Sequence, residues 1–184
     1  DTDDSWNGNV QLMIAIQQAS IGDNIVEASS VAANVGPPFS DANISNFTFV
    51  GNRSNAFRLN TGTRGQYVNG VVNYGQACFR WETTAGDGVA GFNVATDPLF
   101  NSVLFDCAGG LNTGTSDAAA VTGTIANDAN NTTATPDTLG FTFINGPTET
   151  ARPVFNVATL GSFFTPVTYV GAVRDSADRW WAGW

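Results

Sequence analysis

Short apolar-rich segments bounded by Gly, Asn, Asp or Pro recur along the whole chain, the pattern of a many-stranded β protein. The first covers residues 9–17 and the second 24–28, followed by a Val-Gly-Pro-Pro turn region at residues 35–38. Over residues 44–50, Phe47 and Phe49 alternate with Asn46 and Thr48, which predicts a strand with one wet face. Residues 56–60 repeat the alternation with Phe57 and Leu59 inward and Arg58 outward; strands at 67–72 and 77–82 follow.

The period then changes. Leu99, Phe100, Val103 and Leu104 recur at helical spacing after Thr96-Asp97-Pro98, so a short helix is expected near residues 98–105. Residues 108–137 hold almost no large apolar side chain and read as a long surface loop. Strands are expected at 141–144 and 165–173, ahead of the terminal indole cluster Trp180, Trp181 and Trp184.

Segments returning at irregular intervals of roughly 10 to 25 residues suit an irregular solenoid, and a sandwich fits nearly as well. Hairpin turn pairs are scarce, Asn69-Gly70 excepted, and Asn and Thr are abundant for stacking, which favours the solenoid. The expected fold is therefore all-β, a right-handed parallel β-helix with one short helix and a long C-terminal wrapping segment. Residues 1–110 would form the rungs, and residues 111–184 a loop and strands folding back over them within the same domain.

Composition narrows the chemistry. Of 184 residues, 42% are hydrophobic, enough for a sizeable core, and only 12% are charged. There is no histidine and no lysine, so Ser-His-Asp and Cys-His nucleophile pairs, histidine-ligated metals, Schiff bases and the P-loop lysine are excluded within this chain. Seven scattered arginines against 16 acids give a net charge of −9, which disfavours nucleic acid and anionic membrane surfaces as partners. No run of about 18 apolar residues is present to insert in a bilayer. The only methionine, Met13, sits inside an apolar run, so Asp1 reads as the start of a processed chain or fragment. Cys78 and Cys107 suit one disulfide and hence an extracellular or cell-surface location; two buried thiols are the alternative.

The stretches Gly8-Asn9-Val10-Gln11, Ile44-Ser45-Asn46-Phe47-Thr48-Phe49-Val50-Gly51-Asn52 and Leu59-Asn60-Thr61-Gly62-Thr63 carry a resemblance, together with Gln76-Ala77-Cys78-Phe79-Arg80, Tyr169-Val170-Gly171-Ala172-Val173 and the Trp-rich end. The chain resembles uncharacterised secreted surface or lipoprotein-like β-helix proteins of Gram-negative bacteria, thinning across residues 111–150. The resemblance implies a right-handed parallel β-helix of which this chain supplies the C-terminal part. It implies no activity.

Three constellations are candidate sites. Asp1, Asp3 and Asp4 offer oxygen ligands to calcium, against a solvated acidic terminus or a capped turn. Trp180, Trp181 and Trp184 offer a sugar-stacking platform, against a cover for the apolar interior, which open solenoid ends require. Arg80 with Glu82, or Arg58 on the neighbouring strand, resembles the cation that assists proton abstraction beside a carboxylate, against an ordinary surface ion pair. Acid/base work on a glycan needs two carboxylates across a cleft, and spacing selects no pair among Asp23, Glu27, Asp41, Glu82, Asp87, Asp97 and Asp106. The function expected is a non-enzymatic extracellular scaffold contacting glycans or copies of itself, with fibres as one form of self-association. A polysaccharide lyase or hydrolase on the same scaffold is the alternative.

Overall fold

A computed structural model describes residues 1–30, 38–60, 62–81, 98–113, 118–126 and 128–183. Seven strands dominate it: β1 (Asn9–Ile16), β2 (Asn24–Ser29), β3 (Asp41–Gly51), β4 (Asn55–Asn60), β5 (Arg64–Tyr74), β6 (Ala77–Trp81) and β7 (Leu99–Cys107). The turn region expected at 35–38 lies outside the described residues except for Pro38. Consecutive strands alternate between two sheets, one ordered β1-β3-β5-β7 and the other β2-β4-β6, and every strand pairing within them is parallel. The protein is thus mostly β, built of parallel strands in two sheets.

Parallel register stacks equivalent residues into rows. Val10, Ile44, Tyr67 and Phe100 form one row of the four-stranded sheet, and Val26, Phe57 and Phe79 form one row of the three-stranded sheet. Those rows fill the space between the sheets, where Phe47, Phe49, Phe57, Tyr67, Phe79, Trp81, Phe100 and Phe105 belong to one buried cluster. Phe57 stacks on Phe79 with ring centroids 5.1 Å apart, and Tyr67 on Phe100 at 5.0 Å. Burying each such ring contributes about 1.5–3 kcal/mol, so this aromatic column is the main source of cohesion.

Each long strand bends at one residue. Leu12, Asn46, Asn69 and Ser102 have φ of 62°, 54°, 55° and 56°, and they occupy equivalent places between aligned rows. A single left-handed residue costs an L-amino acid about 1–2 kcal/mol, least for Asn, which fits two asparagines at this corner. The bend resets the inward phase: Phe100, Val103 and Phe105 face the core, while Leu104 joins a separate cluster on the opposite face.

That phase reset explains the clearest departure from the sequence reading. Residues 98–105 are not a helix; they belong to β7, and the spacing of Leu99, Phe100, Val103 and Leu104 comes from a bent strand buried on both faces. Thr96 and Asp97, read as its cap, lie outside the described residues. The wet face expected at 44–50 is likewise absent, because Ser45, Asn46 and Thr48 are fully buried beneath the C-terminal segment.

Residues 108–137 are more ordered than a loop. Asn112 makes a parallel bridge to Phe79 and Thr132 to Leu104, each continuing its sheet by one partial strand. Between them runs helix α1 (Ala118–Ala126), whose buried Val121 and Ile125 join the aromatic core and cover that end of the stack. The expected strands at 141–144 and 165–173 are turns and extended chain, with bridges at Gly140–Ile144 and Ile144–Val173 and short helices α2 (Pro147–Thr150) and the 3-10 turn Val157–Leu160. Residues 139–173 lie on the outer face of the four-stranded sheet: Val170 packs with Val71 and Leu104, and Phe164 and Val157 pack with Val68.

Candidate functional site

The four-stranded sheet is covered on both faces, leaving the outer face of β2-β4-β6 as the sheet surface open to solvent among the described residues. Alternation along these short strands points Val26, Ala28, Phe57, Leu59, Phe79 and Trp81 inward and sets Glu27, Arg58 and Arg80 in one outward row. Arg58 Nη1 lies 2.5 Å from Glu27 Oε1, with both side chains about a third exposed at 32%. Arg80 is exposed directly opposite Arg58. Two guanidiniums therefore stand in register on adjacent strands, one of them paired with Glu27. Ser29 and Asn60 pair one step beyond Ala28 and Leu59 on the same face, where the Ser29 hydroxyl donates to Asp3.

The structure joins Arg58 to Glu27 rather than to a downstream acid. Glu82, Asp87 and Asp97 lie outside the described residues.

A second polar cluster joins the stack to the C-terminal segment. Asp137 Oδ2 accepts from Asn73 Nδ2 at 2.6 Å, Asp137 N donates to Asp106 Oδ2 at 3.0 Å, and Leu139 N donates to Asp137 Oδ1 at 3.0 Å. Burial first, and then the nearby Asp106 and Glu149 carboxylates, raise the Asp137 carboxyl above the ordinary carboxylate range, against the Leu139 amide, which lowers it. Glu149 itself is fully buried and holds three donors: Thr138 N, Thr138 Oγ1 and Gly146 N, at 2.8, 2.9 and 2.8 Å. Asp137 had read as the end of a loop; its role depends on a contact with a residue 31 positions away that spacing does not reveal.

Cys78 and Cys107 form a disulfide, with Cα atoms 5.5 Å apart and a sequence separation of 29. It ties β6 to the end of β7, not to a helix.

The other candidates separate. Asp1 and Asp4 are exposed, whereas Asp3 accepts a short hydrogen bond from Ser29 Oγ; among the described residues no group of three or more acids, cysteines or histidines gathers to hold a metal ion. Trp180 and Trp181 do not cover the interior between the sheets. They pack outside it with Phe143, Ala172, Val173 and Ile14, and their indole nitrogens donate to Ala172 O and Asp178 O at 2.9 and 3.0 Å. Trp181 meets Phe143 edge-on at 5.0 Å. Both are partly buried and line an open groove with Val10, Leu12, Met13 and Ile14; Trp184 lies outside the described residues. No helix among the described residues is long and apolar enough to cross a membrane.

The chain matches no protein-family model, no curated protein and no solved structure.

Proposed function

We propose that the protein is a non-enzymatic extracellular scaffold, a right-handed parallel β-helix whose bare sheet face contacts glycans bearing carboxylates. The β-helix reading is supported by the alternation of successive strands between two parallel sheets and by partial strands at Asn112 and Thr132 that extend both. The disulfide is compatible with an extracellular setting. Resemblance of the Asn- and Gly-punctuated segments to secreted surface proteins of Gram-negative bacteria points the same way.

One observation carries the glycan reading: Arg58 and Arg80 stand opposite each other on the open sheet face of β2-β4-β6, the Arg80 side chain exposed. Guanidiniums recognise carboxylates by paired N–H donors, and a flat row on a sheet suits an extended chain of sugars. The second reading, a polysaccharide lyase or hydrolase, draws on Asp106 and Asp137, two close carboxylates of which one is shifted upward. Incubation with uronic-acid and neutral polysaccharides separates the two. Binding without new reducing ends or unsaturated products supports the scaffold, and sustained turnover supports the enzyme.

A further inference from the structure

Apolar side chains fall into separate groups on the two sides of the four-stranded sheet. Among the described residues, the cluster between the sheets ends with Val121 and Ile125 of α1 and takes nothing from residues 139–173. Those residues form three small clusters of their own on the outer face, where the sheet supplies Ile14, Val68, Val71 and Leu104. The C-terminal segment is therefore held to the stack without sharing its core.

The fastening is polar and aimed at main chain. Gln11 Nε2 donates to Thr165 O at 2.7 Å while Thr165 N donates to Gln11 Oε1 at 2.9 Å, the same two-way grip that Asn69 has on Phe155. Asn46 Nδ2 donates to Tyr169 O at 2.8 Å, and Ala172 N to Thr48 Oγ1 at 2.9 Å. The segment's own bridges, Gly140–Ile144 and Ile144–Val173, lie within it, and Asn145 Nδ2 ties its two limbs by donating to Val170 O at 2.6 Å. Beneath it the sheet also satisfies itself: Ser45 Oγ donates to Asn46 Oδ1 at 2.8 Å, and Ser102 Oγ to Asn101 Oδ1 at 3.0 Å. Polar groups that serve one another, or that exchange a protein partner for water, separate at a far lower cost than the strand ladders and aromatic packing of the stack.

We propose that residues 139–173 are a strap that opens from the sheet as one unit while the two-sheet stack stays folded, uncovering a second sheet face lined by Gln11, Ser45, Asn46, Thr48 and Asn69. Because Gln11 and Asn69 grip main-chain groups, that face holds a peptide segment by its backbone rather than by its side chains. The strap lies on the opposite sheet from β2-β4-β6, so its opening does not rest on the proposed glycan contact.

Native-state amide exchange of the full chain in rising, sub-denaturing urea tests this. The reporters are the amides of Phe155, Thr165, Gly171 and Ala172, whose acceptors are Asn69 Oδ1, Gln11 Oε1, Asn69 O and Thr48 Oγ1. All four are expected to exchange through one urea-sensitive opening, with protection at least about tenfold below that of the amides of β4, which lies between β2 and β6. Protection and urea slope equal to those of β4 overturn the proposal, since strap and stack then open together. So does exchange without urea dependence, the mark of local fraying at each site. The Gln11→Ala variant supplies a second reading. It is expected to lower protection at Gly171 and Ala172 by the same factor as at Thr165, roughly fivefold, and to leave β4 unchanged. A loss confined to Thr165, or no loss at all, overturns opening as a unit.

Discussion

Asn69 holds the backbone of Phe155 from both sides: its Nδ2 donates to Phe155 O at 3.0 Å, and Phe155 N donates to its Oδ1 at 2.7 Å. Asn69 is fully buried at the bend of β5, in the left-handed conformation, and Gly171 N donates to its own carbonyl at 2.8 Å. Asn46, one strand earlier, donates to Tyr169 O at 2.8 Å from the equivalent bend. The corner that lets the strand turn is thus also the point where the C-terminal segment is fastened. Asn69→Ala removes two buried hydrogen bonds and the left-handed preference, and should cost about 2–4 kcal/mol. Asn69→Gly keeps the backbone freedom and should cost about 1 kcal/mol less. Urea denaturation of both variants checks the order; equal stability of wild type and Asn69→Ala would remove the fastening role.

The disulfide closes a long loop between β6 and β7. Replacing Cys78 and Cys107 by serine should lower unfolding free energy by roughly 3–4 kcal/mol, measured in denaturant against the oxidised wild type. A loss under about 1 kcal/mol would mean that pairing of Phe79 with Asn112 and of Leu104 with Thr132 already fixes this region.

Gly70 is a packing requirement. A Cβ there would stand 2.0 Å from Phe47 Cζ, inside the aromatic column. Gly70→Ala should cost about 1–3 kcal/mol by overpacking, and adding Phe47→Leu should recover part of the loss, a coupling that a double-mutant cycle reads directly.

Acid should strengthen the attachment of the C-terminal segment at Asp137. Its carboxyl is raised in the folded state, so the folded protein binds the proton more tightly than the unfolded chain. That contribution is fully present below the unfolded carboxyl pKa, about 3.9, and is lost as pH rises through the folded value. Asp137→Asn removes the charge facing Asp106 and Glu149 but leaves one oxygen for two donors, Asn73 Nδ2 and Leu139 N, so it carries a pH-independent cost. The variant should therefore gain stability relative to wild type as pH rises from mildly acid to neutral. Melting temperatures of both across that range test it, with exposed Asp4→Asn as the control for the general relief of negative charge.

How far the sequence reveals this architecture depends on the row in question. The inward rows were legible at Phe47, Phe49, Phe57 and Leu59, because the sequence alternates cleanly at each of those places. In β7 the pattern misleads: Ser102 in a left-handed turn puts Val103 inward and Leu104 outward, and burial of both faces imitates a helix. Periodicity also says nothing about what lies on an outer face, so the polar Ser45, Asn46 and Thr48 read as wet although residues 169–172 cover them. Ion pairing on an outward strand face was expected for Arg80 or Arg58 with Glu82; the Glu27–Arg58 pair, and the register that sets Arg80 opposite Arg58, are long-range facts that spacing does not carry. Asp137 was illegible for the same reason, since its partners Asn73 and Asp106 come from two different strands.

The open face of β2-β4-β6 is most directly tested by calorimetric titration of the wild type and of Arg58→Gln/Arg80→Gln with a uronic-acid oligosaccharide and a neutral glucan. The account predicts saturable binding of the acidic sugar to the wild type, at least about tenfold weaker in the double variant with the fold retained, and weaker binding of the glucan. Equal binding of the acidic sugar by both proteins, or none by the wild type, would contradict it.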